Sequence, residues 1–302
     1  MSHKLSRAPF GASLVVLSSL FYASYGIWTK LMGEFFGGYT ASALRSILVL
    51  VILVPLAFLG KAIEKPAFGK NWRYLVGMIA ASTLVWGPLY YAILHAGVGI
   101  TLSINYVAIV IGMFFFGWLF AKEKFTKDKA ISAGVGIAGL WLVFSPSVDG
   151  VGWLALCAGI VSGLGVAANT VMAKQLTYRA TYSTIMLWAT SVVANIPMAF
   201  ILSEARPEVG LHVEWLYLVI FAVASVLASW LLMRGLKLIE AGAAGVLGLL
   251  EIVFGLVFGV VFFGEHLAFV TVLGIVIILI AVAIPYFKDY AAAKTDMKHK
   301  QD

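Results

Sequence analysis

Charge, cysteine and catalytic signatures are all scarce in this chain. Only 12% of its 302 residues are Asp, Glu, Lys or Arg, against 62% hydrophobic, and the mean hydropathy is +1.00. A soluble domain carries about 25% charged residues, so a water-facing globule is excluded. The single cysteine, Cys157, cannot form an internal disulfide; it lies in an apolar run and reads as a small packing residue. No Gly-x-Ser-x-Gly elbow, His-Glu-x-x-His helix or Walker loop occurs, and no acidic pair stands at metal-ligand spacing in an apolar run. His95 and His266 are isolated, which argues against a metal. These absences point away from an enzyme and call for no cofactor. Without a nucleotide-binding segment, any pumping would draw on a gradient rather than ATP.

Long apolar runs are what remains. Segments of about 20 residues, each enough to cross a hydrocarbon core of roughly 30 Å, fall at 10–32, 40–60, 73–95, 99–121, 129–146, 152–174, 182–203, 214–236, 242–263 and 267–287. The gaps are too short for a soluble catalytic domain. Lys4 and Arg7 before the first run resemble a signal peptide, but no small-residue cleavage site follows. The expected fold is therefore an all-α integral membrane protein with ten transmembrane helices.

The formal charge of +7 does not indicate nucleic acid, because 18 of the 21 Lys and Arg residues fall in alternate loops or at the termini. Basic residues in short loops stay on the cytoplasmic side. Both termini, 1–9 and 288–302, are expected there, in the inner (plasma) membrane. Arg206 lies on the other side, and Lys30 and Arg45 sit at or inside run ends.

Residues 10–146 resemble 152–287. Lys30 aligns with Lys174, Gly99 with Gly242, Glu123 with Glu265, and Pro55 with Pro197. Five spans per half is an odd number, so the second half must enter the membrane inverted relative to the first, an arrangement that suits alternating exposure of one central site. An aromatic first span ending in Lys (Phe21-Tyr22-Ala23-Ser24-Tyr25 to Lys30), the early Arg45 of span 2, and Lys122-Glu123 and Gly264-Glu265 closing spans 4 and 9 carry a wider likeness. On these residues the chain resembles the ten-span EamA-type members of the drug/metabolite transporter superfamily. Ser103-Ile104-Asn105-Tyr106 looks like the Asn-Tyr element of YddG-type aromatic amino acid exporters. The resemblance implies export of aromatic or apolar amino acids and related small metabolites through a central cavity, as a uniport or coupled to a gradient. Export of lipophilic cationic drugs coupled to protons is the alternative. Mid-span prolines common in that family's fourth and ninth spans are replaced near Ile109 and Ile252.

Polar and aromatic stripes mark either helix contacts or a pathway. Ser18, Tyr22, Tyr25 and Thr29 share one face of span 1; Ser82, Trp86 and Tyr90 share one in span 3, beside Gly87-Pro88; Ser162, Gly165 and Asn169 share one in span 6; and Thr184, Trp188, Ser191 and Asn195 share one in span 7. Tyr22, Trp86 and Tyr106 are too bulky for close packing and suit cavity walls. Tyr25, Ser82, Tyr90, Asn105, Gly165, Asn169 and Trp188 complete the expected substrate-binding set, in which Asn105, Asn169 and Asn195 offer neutral handles to a zwitterion. Glu251, mid-span on a stripe with Gly248 and Gly255, carries a proton, binds an ammonium, or hydrogen-bonds as a neutral acid. Arg45 either snorkels to headgroups or lines the cavity mouth. Spans 5 and 10, Gly-rich and otherwise apolar, read as peripheral supports. The expected partners are small-molecule substrates and membrane lipids, with the chain acting as a monomer or a homodimer.

Overall fold

The computed structural model describes residues 8–33, 35–59, 68–96, 98–124, 126–143, 152–176, 179–202, 204, 207, 210–264 and 266–298. Among them are twelve helices and no strand: α1 (Ala8–Ala23), α2 (Tyr25–Met32), α3 (Gly38–Leu59), α4 (Phe68–Ala96), α5 (Val98–Ala121), α6 (Lys127–Val143), α7 (Trp153–Leu176), α8 (Ala180–Ile201), α9 (Val213–Leu236), α10 (Ala241–Gly248), α11 (Leu250–Phe263) and α12 (Phe269–Lys298). A helix stands at each of the ten runs, two of them broken. Eight are long and apolar enough to cross a membrane. The other two are α6, whose 17 described residues open on Lys127, Asp128 and Lys129, and α12, whose described apolar stretch is Phe269–Ile284.

Helix ends follow local chemistry. Gly264 adopts a left-handed conformation (φ 66°) and donates its N–H to Val260 O at 3.0 Å, closing α11. Lys122 adopts φ 55° at the aligned position after α5, an uncommon conformation for a residue with a Cβ. The span α1–α2 is interrupted at Ser24, whose Oγ donates to Phe21 O at 2.6 Å, and α10–α11 at Leu249, whose N–H turns to Val246 O, three residues back; both residues keep right-handed helical dihedrals. Neither break involves proline. By contrast α4 runs unbroken through Pro88, and α5 is continuous past Ile109.

The helices pair in a pattern that survives exchange of the two halves. α4 packs on α7 as α9 packs on α1, α5 packs on α7 as α10 and α11 pack on α1, α3 packs on α8, and α6 packs on α12. Small residues permit the close approaches. A Cβ on Gly165 would come within 3.0 Å of Ala81 O, and one on Gly139 within 2.9 Å of Gly274 O. Hydroxyls and amides stitch the seams: Ser18 Oγ donates to Ala228 O (2.7 Å), Ser162 Oγ to Val85 O (2.8 Å) and Ser132 Oγ to Ala281 O (2.5 Å). Outward faces stay apolar, with Val51, Phe58, Trp118, Val261 and Ile280 exposed, as hydrocarbon solvent requires. Cys157 is also exposed and so is not the internal packing residue expected of it. Trp72, Trp118 and Trp153 are exposed near helix ends, whereas Trp28 and Trp215 pack into the bundle.

Candidate functional site

The side chains with unexplained polarity meet in the middle of the bundle. Arg45, on α3, is only 3% exposed, so it neither snorkels nor sits at an open mouth. Four aromatic rings surround its guanidinium: Phe221 at 4.4 Å, Trp86 at 4.9 Å, Tyr25 at 5.1 Å and Trp188 at 5.4 Å. These rings come from α9, α4, α2 and α8. Arg45 Nε and Tyr25 Oη are both buried without a hydrogen-bond partner. Ring faces offset part of the cation's desolvation, by roughly 0.5–2 kcal/mol each, but they accept N–H hydrogen bonds poorly.

Tyr22 lies beside Tyr25, with ring centroids 5.1 Å apart, and both stand within electrostatic range of Arg45 and of Glu251. Tyr106, from α5, presents its hydroxyl to the Glu251 carboxyl. Among the described residues Glu251 has no ion pair. Tyr22, Trp86, Tyr106 and Glu251 are each only partly buried although they lie mid-helix in the bundle. A Cβ added at Gly248 or Gly255, on the helix stripe of Glu251, or at Gly26, one turn after Tyr22, would meet nothing within 4 Å. Both helix breaks fall next to this space: Ser24 lies between Tyr22 and Tyr25, and Leu249 two residues before Glu251. Broken spans at mid-membrane free backbone groups where a cavity can use them.

The remaining expected site residues serve helix contacts. Asn105 Nδ2 donates to Gly159 O (3.2 Å), and Asn169 Nδ2 donates to Ser82 Oγ (2.7 Å). Gly165 lies against α4. Trp188 bridges both roles, its ring near Arg45 and its Nε1 donating to Ser229 Oγ at 2.9 Å. Asn195 Nδ2 donates to Ser191 O and Oγ, and Ser191 Oγ meets Ser46 Oγ at 3.0 Å, binding α8 to α3. The side chain of Tyr90 and the whole of Glu265 lie outside the described residues. Sequence reasoning missed Arg45 as a member of the central cluster, and missed Phe221 altogether. The available signal was an arginine seven residues into an apolar helix with no acid on its face.

At one end of the bundle, Glu123 ties three elements together. Its Oε1 accepts from Lys174 Nζ (2.7 Å) and its Oε2 from the Ala241 N–H at the start of α10 (2.7 Å). Lys129 and Glu240 form a second ion pair there.

The bundle thus gathers aromatic and ionisable side chains from several helices, and its helix pairing survives exchange of the two halves. The EamA-like transporter family model matches the chain twice, over residues 9–145 and 153–287, and the chain belongs to that family. It is a multi-pass membrane transporter. Among curated proteins it is similar to an uncharacterized transporter of Helicobacter pylori (strain ATCC 700392 / 26695), 24% identical over 280 residues that cover 89% of this chain and 92% of that one. It is also similar to the uncharacterized transporter YwfM of Bacillus subtilis (strain 168), 28% identical over 231 residues, covering 71% and 74%. A crystal structure described only as that of a protein shares the fold, with a TM-score of 0.75 at 13% identity, and the match covers 91% of this chain and 96% of that one.

Proposed function

We propose that the chain exports aromatic or other apolar amino acids and related small metabolites across the inner (plasma) membrane by alternating access, with ten spans in two inverted repeats and both termini cytoplasmic. The observation that carries this reading is the cluster of aromatic rings around Arg45, drawn from helices long and apolar enough to cross a membrane. Tyr22, Tyr25, Trp86, Tyr106 and Trp188 supply flat walls suited to an aromatic or apolar side chain, and Glu251 supplies one ionisable group. Ser82, Asn105, Gly165 and Asn169 act one layer out, holding α4, α5 and α7 in place around the chamber.

The exchangeable helix pairing supports the inverted repeat. The distribution of basic residues supports the orientation. The breaks at Ser24 and Leu249 support a rocking mechanism, since each lets one half of a span move while the other stays packed. In this reading Glu251 carries the coupling proton or meets the substrate's ammonium.

Radiolabelled tryptophan, phenylalanine, methionine and threonine flux in proteoliposomes tests it. The parent should give saturable flux, and Trp86→Ala and Tyr106→Ala should lose it while remaining monodisperse. If Glu251 couples transport to protons, Glu251→Gln keeps substrate counterflow and loses acceleration by a pH gradient. No flux of any of the four amino acids sinks the amino-acid reading.

A further inference from the structure

We propose that Arg45 is the receptor for a carboxylate on the transported molecule, in a chamber polarised between Arg45 at one end and Glu251 at the other. This rests on the carrier reading above and names the substrate class of the same site. A guanidinium offers five N–H donors in a rigid fork and stays charged. Here it is held 3% exposed inside four rings, its Nε is buried without a hydrogen-bond partner, and among the described residues it forms no ion pair. A buried, unpaired arginine is costly unless an anion completes it. The rings lower that cost without consuming the donors, so the guanidinium stays able to bind.

The geometry also limits the anion. One guanidinium matches a planar carboxylate through two parallel hydrogen bonds. A phosphate dianion would call for a second cation, and Lys30 is held elsewhere, its Nζ 4.0 Å from the centre of the Phe263 ring. Arg45 and Glu251 form no ion pair with one another among the described residues, and Tyr22 and Tyr25 lie within electrostatic range of both. An amino acid oriented with its carboxylate at Arg45 and its ammonium toward Glu251 satisfies both ends. A lipophilic cation leaves Arg45 unpaired and meets a like charge.

Competition against labelled tryptophan in proteoliposomes tests the assignment with four indoles: tryptophan, indole-3-acetate, indole-3-acetamide and tryptamine. In the parent, indole-3-acetate should compete about tenfold better than its amide, and Arg45→Gln should shrink that ratio to under about threefold. Arg45→Lys, which keeps charge without the fork, should fall between them, and size-exclusion profiles check that each variant folds. Tryptamine competing best, or an acid-to-amide ratio unmoved by the substitutions, overturns the proposal.

If tryptophan flux is absent, the amino-acid reading fails and Arg45 is judged separately. The thermal shift of the purified full chain is then measured with acetate, propionate and lactate against their amides, and with chloride at equal ionic strength. A saturable shift with the carboxylates alone, lost in Arg45→Gln and partly kept in Arg45→Lys, sustains the proposal. Equal responses to amides or to chloride, or no Arg45-dependent response, overturn it.

Discussion

The two ends of the bundle carry aligned sequences but are packed differently. At the Lys174 end, Val15, Met78, Met113, Ala167, Met233 and Leu247 belong to one continuous core drawn from α1, α4, α5, α7, α9 and α10. The Glu123 bridge from Lys174 to the start of α10 lies over that core. Toward the other end, Gly26 and Gly255 border open space, and Lys30, the counterpart of Lys174, lies over the Phe263 ring. The Lys174 end is thus closely packed, whereas glycines toward the other end have open space beside them.

The largest blow to this contrast is Lys174→Met. It leaves a Glu123 side chain that is 12% exposed without its cation, and should cost about 3–5 kcal/mol in denaturant unfolding in mixed micelles. Adding Glu123→Gln should restore more than half of that loss. A single variant as stable as the parent would mean that the bridge does not hold the sealed end.

Glycine substitutions sharpen the comparison. A Cβ at Gly235 would stand 2.8 Å from Gly11 O, a backbone atom that cannot swing away, so Gly235→Ala should cost about 1–3 kcal/mol. Gly255→Ala adds a methyl to open space and should be neutral or gain up to about 1 kcal/mol in helix propensity. Equal penalties at the two sites would erase the distinction. On a Cys157→Ser background, Gly255→Cys should react with a water-soluble maleimide about tenfold faster than Ala244→Cys, equivalent to about 1.4 kcal/mol of access. Ala244 is 2% exposed in the sealed core, so similar rates would show that the ends are equally accessible. The smallest effect is expected of Trp188→Phe, which removes the hydrogen bond to Ser229 at mid-height. It should lower stability by about 1 kcal/mol and leave the labelling ratio unchanged.

Which residues would form the chamber was legible only in part. Tyr22, Trp86, Tyr106 and Glu251 stand out in sequence because bulky polar aromatics and a carboxyl inside apolar runs need a reason to be there. Asn105 and Asn169 stand out by the same test, yet their amides go to the Gly159 carbonyl and the Ser82 hydroxyl. Periodicity cannot tell a donor that faces a cavity from one that faces a neighbouring helix. Arg45 is the reverse case. Near a helix end it looks like a residue able to reach headgroups, and its burial follows from rings on four other helices. The break at Leu249 gives no proline signal at all.

The sequence by itself determined the helices, the membrane as their solvent and the likeness of the halves. Each of these follows from local or linear properties: the length of an apolar run, a glycine able to take positive φ, a spacing repeated after about half the chain. The tertiary structure alone decided which polar groups are spent on packing, which remain unpaired around Arg45 and Glu251, and which end of the bundle is sealed. Those outcomes depend on lateral neighbours far apart in the chain.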